Sequence, residues 1–84
     1  MNHVFTYWEG TPYAFTQVCL NSITSIFGSS HIHLTPDSIE NYITLNSDIK
    51  NCKHISFKSD YIRTMLLTCY GGFWFDCDVL LFKN

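Results

Sequence analysis

Residues 59–82, SDYIRTMLLTCYGGFWFDCDVLLF, constrain the fold more than any other stretch of the chain. Tyr61, Met65 and Cys69 recur every four residues, and so do Ile62, Leu66 and Tyr70. That spacing predicts a helix with a broad apolar face. Gly71 and Gly72 can take positive φ without a Cβ clash, so they stop the helix and turn the chain back. The aromatic run over residues 73–75 suits a buried strand, with Trp74 expected in the core. Asp76, Cys77 and Asp78 follow. In extended backbone, residues two apart project to one side, so both carboxylates would face one ligand and Cys77 would face away.

Upstream, residues 3–8 (HVFTYW) are β-branched and aromatic and predict a first strand. Residues 9–12 break it, with Thr11 placed to cap a helix and Pro12 in its first turn. Phe15, Val18, Cys19, Ile23 and Ile26 then predict an amphipathic helix to Phe27, closed by Gly28. Residues 31–34 form a short second strand. Thr35 and Pro36 repeat the cap-and-proline start, and Ile39, Tyr42 and Ile43 predict a short helix. Residues 45–57 are polar and irregular and predict a surface loop with little core, holding at most a short strand at 54–57. Ser56 or Ser59 would cap the third helix. Strands alternating with helices imply an α/β fold with a mainly parallel sheet flanked by helices. Ligands of such sheets bind at the carboxyl ends of the strands, where Tyr7, Trp8 and Glu9 would meet Asp76, Cys77 and Asp78.

The 84 residues allow one domain, spanning 1–84, and a small stability margin. Charged residues make up only 14% against 46% hydrophobic, which argues for a folded chain. A net charge of −2 with five Lys and Arg leaves no basic patch, so nucleic acid is not expected as a partner. The four cysteines form no C-x-x-C pair, which speaks against zinc or disulfide chemistry. Cys19 and Cys69 fall on apolar helix faces. His31 and His33 share one side of a strand but have no third ligand nearby, so a surface pair is the simpler reading. With no membrane span and no leader pattern at its start, the chain is expected to be cytoplasmic.

Two carboxylates on one side of a strand end suit a hard divalent cation, Mn²⁺ or Mg²⁺, that shares its oxygen ligands with substrate phosphates. A D-x-D triplet alone is weak. Here it sits within Ser59-Asp60, Arg63, Leu66-Leu67, Tyr70-Gly71-Gly72, Trp74 and Asp76-Cys77-Asp78. This block resembles the S-D-x-x-R…L-L-x-x-Y-G-G-x-W-x-D-x-D pattern of the DxD-motif glycosyltransferases, the capsular-polysaccharide and sugar-binding group of GT-A (Rossmann-like) type. Tyr7-Trp8-Glu9-Gly10, Pro12 and Cys19-Leu20-Asn21-Ser22 are similar to that family's opening, more loosely.

The resemblance implies a donor site for a nucleotide diphosphate-sugar, UDP-linked by preference, and transfer of the sugar to a glycan acceptor. It implies that Asp76 and Asp78 hold Mn²⁺ or Mg²⁺, with Asp76 also reaching the ribose or sugar. Asp60 and Arg63 would contact the sugar hydroxyls and phosphate, and Tyr7 or Trp8 would stack on the base; alternation alone does not decide which. Asp60 and Arg63 also make sense as an ordinary i,i+3 helix pair. Relatives of the family are longer, so the chain reads as a partial domain, the donor-binding half, and a non-catalytic fragment is an alternative. Residues 75–80 also resemble the first motif of haloacid-dehalogenase-type phosphatases, in which Asp76 would be a nucleophile.

Overall fold

The computed structural model describes residues 3–81. Strand β1 runs Val4–Tyr7 and is followed by helix α1, Ala14–Phe27. A single 3₁₀ turn, Gly28–Ser30, leads into strand β2, His31–Leu34. A second 3₁₀ turn at Ile39–Asn41 and the one-turn helix α2, Ser47–Lys50, precede the long helix α3, Ile55–Tyr70. Strand β3 is the pair Phe73–Trp74. The sheet has the order β2-β1-β3 and is parallel at both pairings, with Val4 opposite His31 and Phe73. This is an α/β fold with a parallel sheet and flanking helices, as the alternation of elements predicts.

One face of the sheet is apolar. Phe5, Tyr7 and Leu34 pack with Ile39, Ile43, Leu45, Ile62 and Leu66 into one buried cluster. Ile62 and Leu66, one turn apart on α3, are fully buried as their spacing predicts. Each such side chain contributes about 1.5–3 kcal/mol on burial. The same helix leaves Tyr70 and Cys69 exposed, so the apolar face is narrower than predicted.

The opposite face is built differently. By strand alternation Val4 and Thr6 point there, and both are buried. α1 contributes Thr16, Cys19, Leu20 and Ile23, spaced three, one and three apart. Phe15 and Val18 were expected in this stripe and are instead more than half exposed; apolar residues wrap further round α1 than the side it turns inward. Between the layers, Thr6 Oγ1 lies 2.8 Å from His31 Nε2 and 2.8 Å from His33 Nδ1. His31 Nδ1 is in turn 2.7 Å from Thr24 Oγ1 on α1. Two hydroxyls and two imidazoles thus form one hydrogen-bonded chain that ties β1, β2 and α1 together.

Several local expectations are corrected. Thr11 does not cap α1; Tyr13 occupies the cap position without a side-chain bond. Residues 54–57 form no strand, because α3 already begins at Ile55, with His54 at its cap position in place of Ser56 or Ser59. The region 45–57 is not bare loop: Leu45 is buried, Ile49 packs on the core, and Asn46 caps α2 by accepting from Ile49 N at 2.9 Å. The expected short helix at Ile39 is only a 3₁₀ turn.

β3 reaches the sheet through a pinch at Gly72. A Cβ there would stand 2.3 Å from the His3 carbonyl oxygen, which accepts a hydrogen bond from Phe73 N at 2.8 Å. With φ at 90°, the position suits glycine on two counts. Phe82, the last residue of the stretch 59–82, lies outside the described residues.

Candidate functional site

A cleft of about 840 Å³ opens at the carboxyl ends of β1 and β3. Four short stretches wall it. Tyr7, Trp8 and Glu9 leave β1, and Tyr13, Phe15 and Thr16 surround the start of α1. Ile55, Ser56, Ser59, Asp60 and Arg63 share one side of the first turns of α3. Trp74, Asp76, Cys77 and Asp78 complete the wall after β3. The cleft therefore brings together Tyr7, Trp8, Asp60, Arg63, Asp76 and Asp78, which come from three separate stretches of sequence.

The two carboxylates reach it by a route other than strand alternation. β3 ends at Trp74, and residues 77 and 78 form a turn closed by Val79 N donating to Asp76 O at 3.1 Å. Both aspartates are exposed along this turn. Cys77 is buried between them, and its thiol donates to the Tyr7 carbonyl oxygen at 3.2 Å. Burial pushes that thiol up to about 11, with the negative charges of Asp76 and Asp78 adding to the effect. It is a protonated anchor at neutral pH. Trp74 is half-buried and packs against the core cluster from its edge, less deeply than expected; its Nε1 donates to Asp76 Oδ1 at 2.9 Å and fixes that carboxylate at the cleft wall.

Arg63 and Asp60 form the i,i+3 pair, 3.2 Å apart and largely solvated, which is worth a few tenths of a kcal/mol to the fold. Tyr7 is buried and belongs to the apolar cluster, while Trp8 is half-buried and lies just past the strand. Trp8 Nε1 is buried without a hydrogen-bond partner among the described residues.

Sequence reasoning missed a charged pair behind the cleft. Glu9 Oε1 accepts from the Tyr7 hydroxyl at 2.7 Å and pairs with Lys58 Nζ at 2.8 Å. Lys58 is buried, and its ammonium also donates to the Lys50 carbonyl at 3.1 Å. Burial by itself would raise the Glu9 carboxyl, but the hydrogen bonds from Lys58 and Tyr7 and the ammonium charge outweigh it and hold Glu9 below its usual range. Burial raises the Tyr7 phenol, helped by its bond to Glu9 and by that carboxylate's charge. Nothing in the sequence marks this pair, whose members are far apart along the chain; only the early start of α3 brings Lys58 back to Glu9.

Four carboxylates, Glu9, Asp60, Asp76 and Asp78, face the cleft against one cation, Arg63. Asp76 and Asp78 have no ion-pair partner among the described residues, and no group of three or more His, Cys, Asp or Glu comes together there to hold a metal ion. Two unpaired carboxylates at a cleft wall fit a cation that takes its remaining ligands from phosphate and water, and do not fit an all-protein metal cage.

The model of the capsular polysaccharide synthesis protein family matches residues 2–84. The chain belongs to this family. Its membership connects the chain with polysaccharide biosynthesis. Searches of curated proteins and of solved structures returned no match. No helix among the described residues is long and apolar enough to cross a membrane.

Proposed function

We propose that the chain is the donor-binding part of a metal-dependent glycosyltransferase of GT-A type. Its donor is a nucleotide diphosphate-sugar, UDP-linked, and the sugar passes to a glycan acceptor in polysaccharide synthesis. One observation carries the reading: the six residues of the DxD-type pattern and of the chain's opening line a single cleft at the carboxyl end of a parallel sheet. Membership of the capsular polysaccharide synthesis family supports the same chemistry over the phosphatase alternative.

Charge gives the reading its metal dependence. Glu9 is balanced by Lys58 and Asp60 by Arg63, so a diphosphate entering the cleft meets two uncompensated carboxylates, Asp76 and Asp78, and is repelled. Asp76 and Asp78 would hold Mn²⁺ or Mg²⁺, which when bound neutralises the diphosphate and assists its departure. Arg63 offers a planar fork to phosphate, and Asp60 steadies that fork from one turn earlier. The base would stack on the ring of Tyr7 or of Trp8, both of which line the cleft. Asp76, held by Trp74, accepts from a ribose or sugar hydroxyl.

Calorimetry with UDP-glucose and related donors tests this. Binding is expected with Mn²⁺, at least tenfold weaker without it, and equally weakened by Asp78→Asn, since an amide is a poor ligand for a hard cation. Equal affinity without metal would sink the proposal. So would a Mg²⁺-dependent beryllium fluoride adduct at Asp76 with no affinity for nucleotide-sugars, the outcome a phosphatase requires.

A further inference from the structure

The Glu9 cluster is not used by the metal and phosphate chemistry just described. Both of its protein donors, the Tyr7 hydroxyl and the Lys58 ammonium, converge on one carboxylate oxygen, Oε1. The second oxygen has no protein partner among the described residues, although Glu9 lines the cleft. An ionised carboxylate is an acceptor only, with lone pairs to spare on that free oxygen. Its orientation is set. Lys58 is buried and tied to the Lys50 carbonyl, and Tyr7 is buried in the apolar cluster, so the group they grip cannot swing away.

The same grip decides what the free oxygen accepts. The ammonium already balances the carboxylate's charge at 2.8 Å, which makes Glu9 a poorer cation ligand than the unpaired Asp76 and Asp78. A neutral donor is the better fit, and a sugar hydroxyl is the neutral donor that also complements a neighbouring indole ring with its C–H face. Trp8, the residue before Glu9, lines the same cleft and carries such a ring.

We infer that Glu9 and Trp8 form a specificity subsite for the hydroxyls of a sugar ring, separate from the cation and phosphate wall at Asp76, Asp78 and Arg63. The inference rests on the nucleotide-sugar reading only for the identity of the sugar, which is either the ribose of the nucleotide or the transferred pyranose. Charge divides the cleft: carboxylates without a counter-charge meet the metal, and the carboxylate with one meets the polyol.

The test omits both metal and phosphate, so that it stands apart from the donor reading. Uridine, 2′,3′-dideoxyuridine and methyl glucoside are titrated into the 84-residue chain, following the Trp8 indole N–H by NMR. Millimolar binding of uridine but not of its dideoxy analogue identifies the ribose; binding of methyl glucoside identifies the pyranose. Glu9→Gln alone strands the buried Lys58 ammonium and threatens the fold. The paired variant Glu9→Gln with Lys58→Met removes both charges together, and Glu9→Asp keeps the charge but draws the acceptor back by one methylene. Both variants are expected to weaken the hydroxyl-dependent binding about tenfold, near 1.4 kcal/mol. If the wild type binds neither sugar, or if uridine and its dideoxy analogue bind alike and methyl glucoside does not bind, the subsite is refuted. Unchanged binding in a folded variant refutes it as well. Hydroxyl-dependent binding that persists in a chain showing no metal-dependent affinity for UDP-sugars would overturn the donor reading and leave the subsite standing.

Discussion

On the α3 side of the sheet, Phe5, Tyr7 and Leu34 meet Ile62 and Leu66, and the contact is almost wholly apolar. On the α1 side, Val4 and Thr6 lie under Cys19 and Ile23, and a chain of hydroxyls and imidazoles runs from Thr24 through His31 and Thr6 to His33. The first face is held by area removed from water, which has no preferred direction. The second is held by bonds that have one. The Thr6 hydroxyl has a single proton and can give it to only one imidazole, so at least one of the two must donate to it. The α3 face therefore fixes how firmly the sheet is covered, and the α1 face fixes how β1 and β2 stand against each other. The cleft sits where the two faces meet at the strand ends, and it takes Tyr7 from the first and Trp8 from the turn beyond both.

The largest expected effect falls on the apolar face. Leu66→Ala should cost about 2–5 kcal/mol, enough to unfold most of so small a domain at room temperature. Urea titration followed by circular dichroism measures it, and a loss below about 1 kcal/mol would mean that α3 is not the chief support. Thr6→Val comes next. It keeps the side chain's shape and leaves two half-buried imidazoles short of a partner, at an expected cost of about 1–3 kcal/mol in the same titration. A cost equal to that of Leu66→Ala would erase the distinction between the faces.

Acid sharpens it with the smallest effect. Burial holds both imidazoles below their usual range, and at His31 the charge of His33 adds to this. The unfolded chain then binds more protons than the folded one. Stability is full above the unfolded value of about 6.5 and declines as the pH falls beneath it. The melting temperature should be lower at pH 5.5 than at pH 7.5, and by the same amount in a mildly destabilised α3-face variant such as Ile62→Val, since Ile62 lies in the apolar cluster and bonds to neither imidazole. A melting temperature that rises toward pH 5.5 would refute the assignment of the imidazoles to this chain of bonds.

The apolar face was the more legible of the two. Ile62 and Leu66 declare themselves by spacing, and residues 3–8 declare a strand, although not which of its side chains, Tyr7 or Trp8, turns inward. The α1 face was read less well because periodicity counts apolar residues and is silent on hydrogen-bonded ones: Phe15 and Val18 were chosen, while Thr16, Thr6 and the two histidines were the groups turned inward. Asp60, Arg63, Asp76 and Asp78 could be picked out as candidates because motif spacing records them directly. The geometry behind them could not. A turn, and not a strand, presents Asp76 and Asp78, and Trp74 packs at the edge of the core, where its indole N–H holds Asp76. Glu9 was placed at the strand end, but its pairing with Lys58 was invisible because it depends on where α3 begins, and helix starts are weakly encoded when, as at His54, no side chain caps the first turn.

The pinch at Gly72 gives the chain a threshold where most positions have a slope. Elsewhere a larger side chain costs more than a smaller one, and neighbours yield by degrees. At Gly72 the obstacle is the first carbon of any side chain, set 2.3 Å from a backbone oxygen that already receives a hydrogen bond from Phe73. Alanine and tryptophan meet it alike. Because β3 is only two residues long, a lift at Gly72 leaves the bond from Phe75 N to the Phe5 carbonyl as its next backbone rung, and the load falls on that bond and on the Cys77 anchor of the turn bearing Asp76 and Asp78. Variation at this position is all-or-nothing, and what it switches is the distance between the carboxylates and the aromatic rings across the cleft.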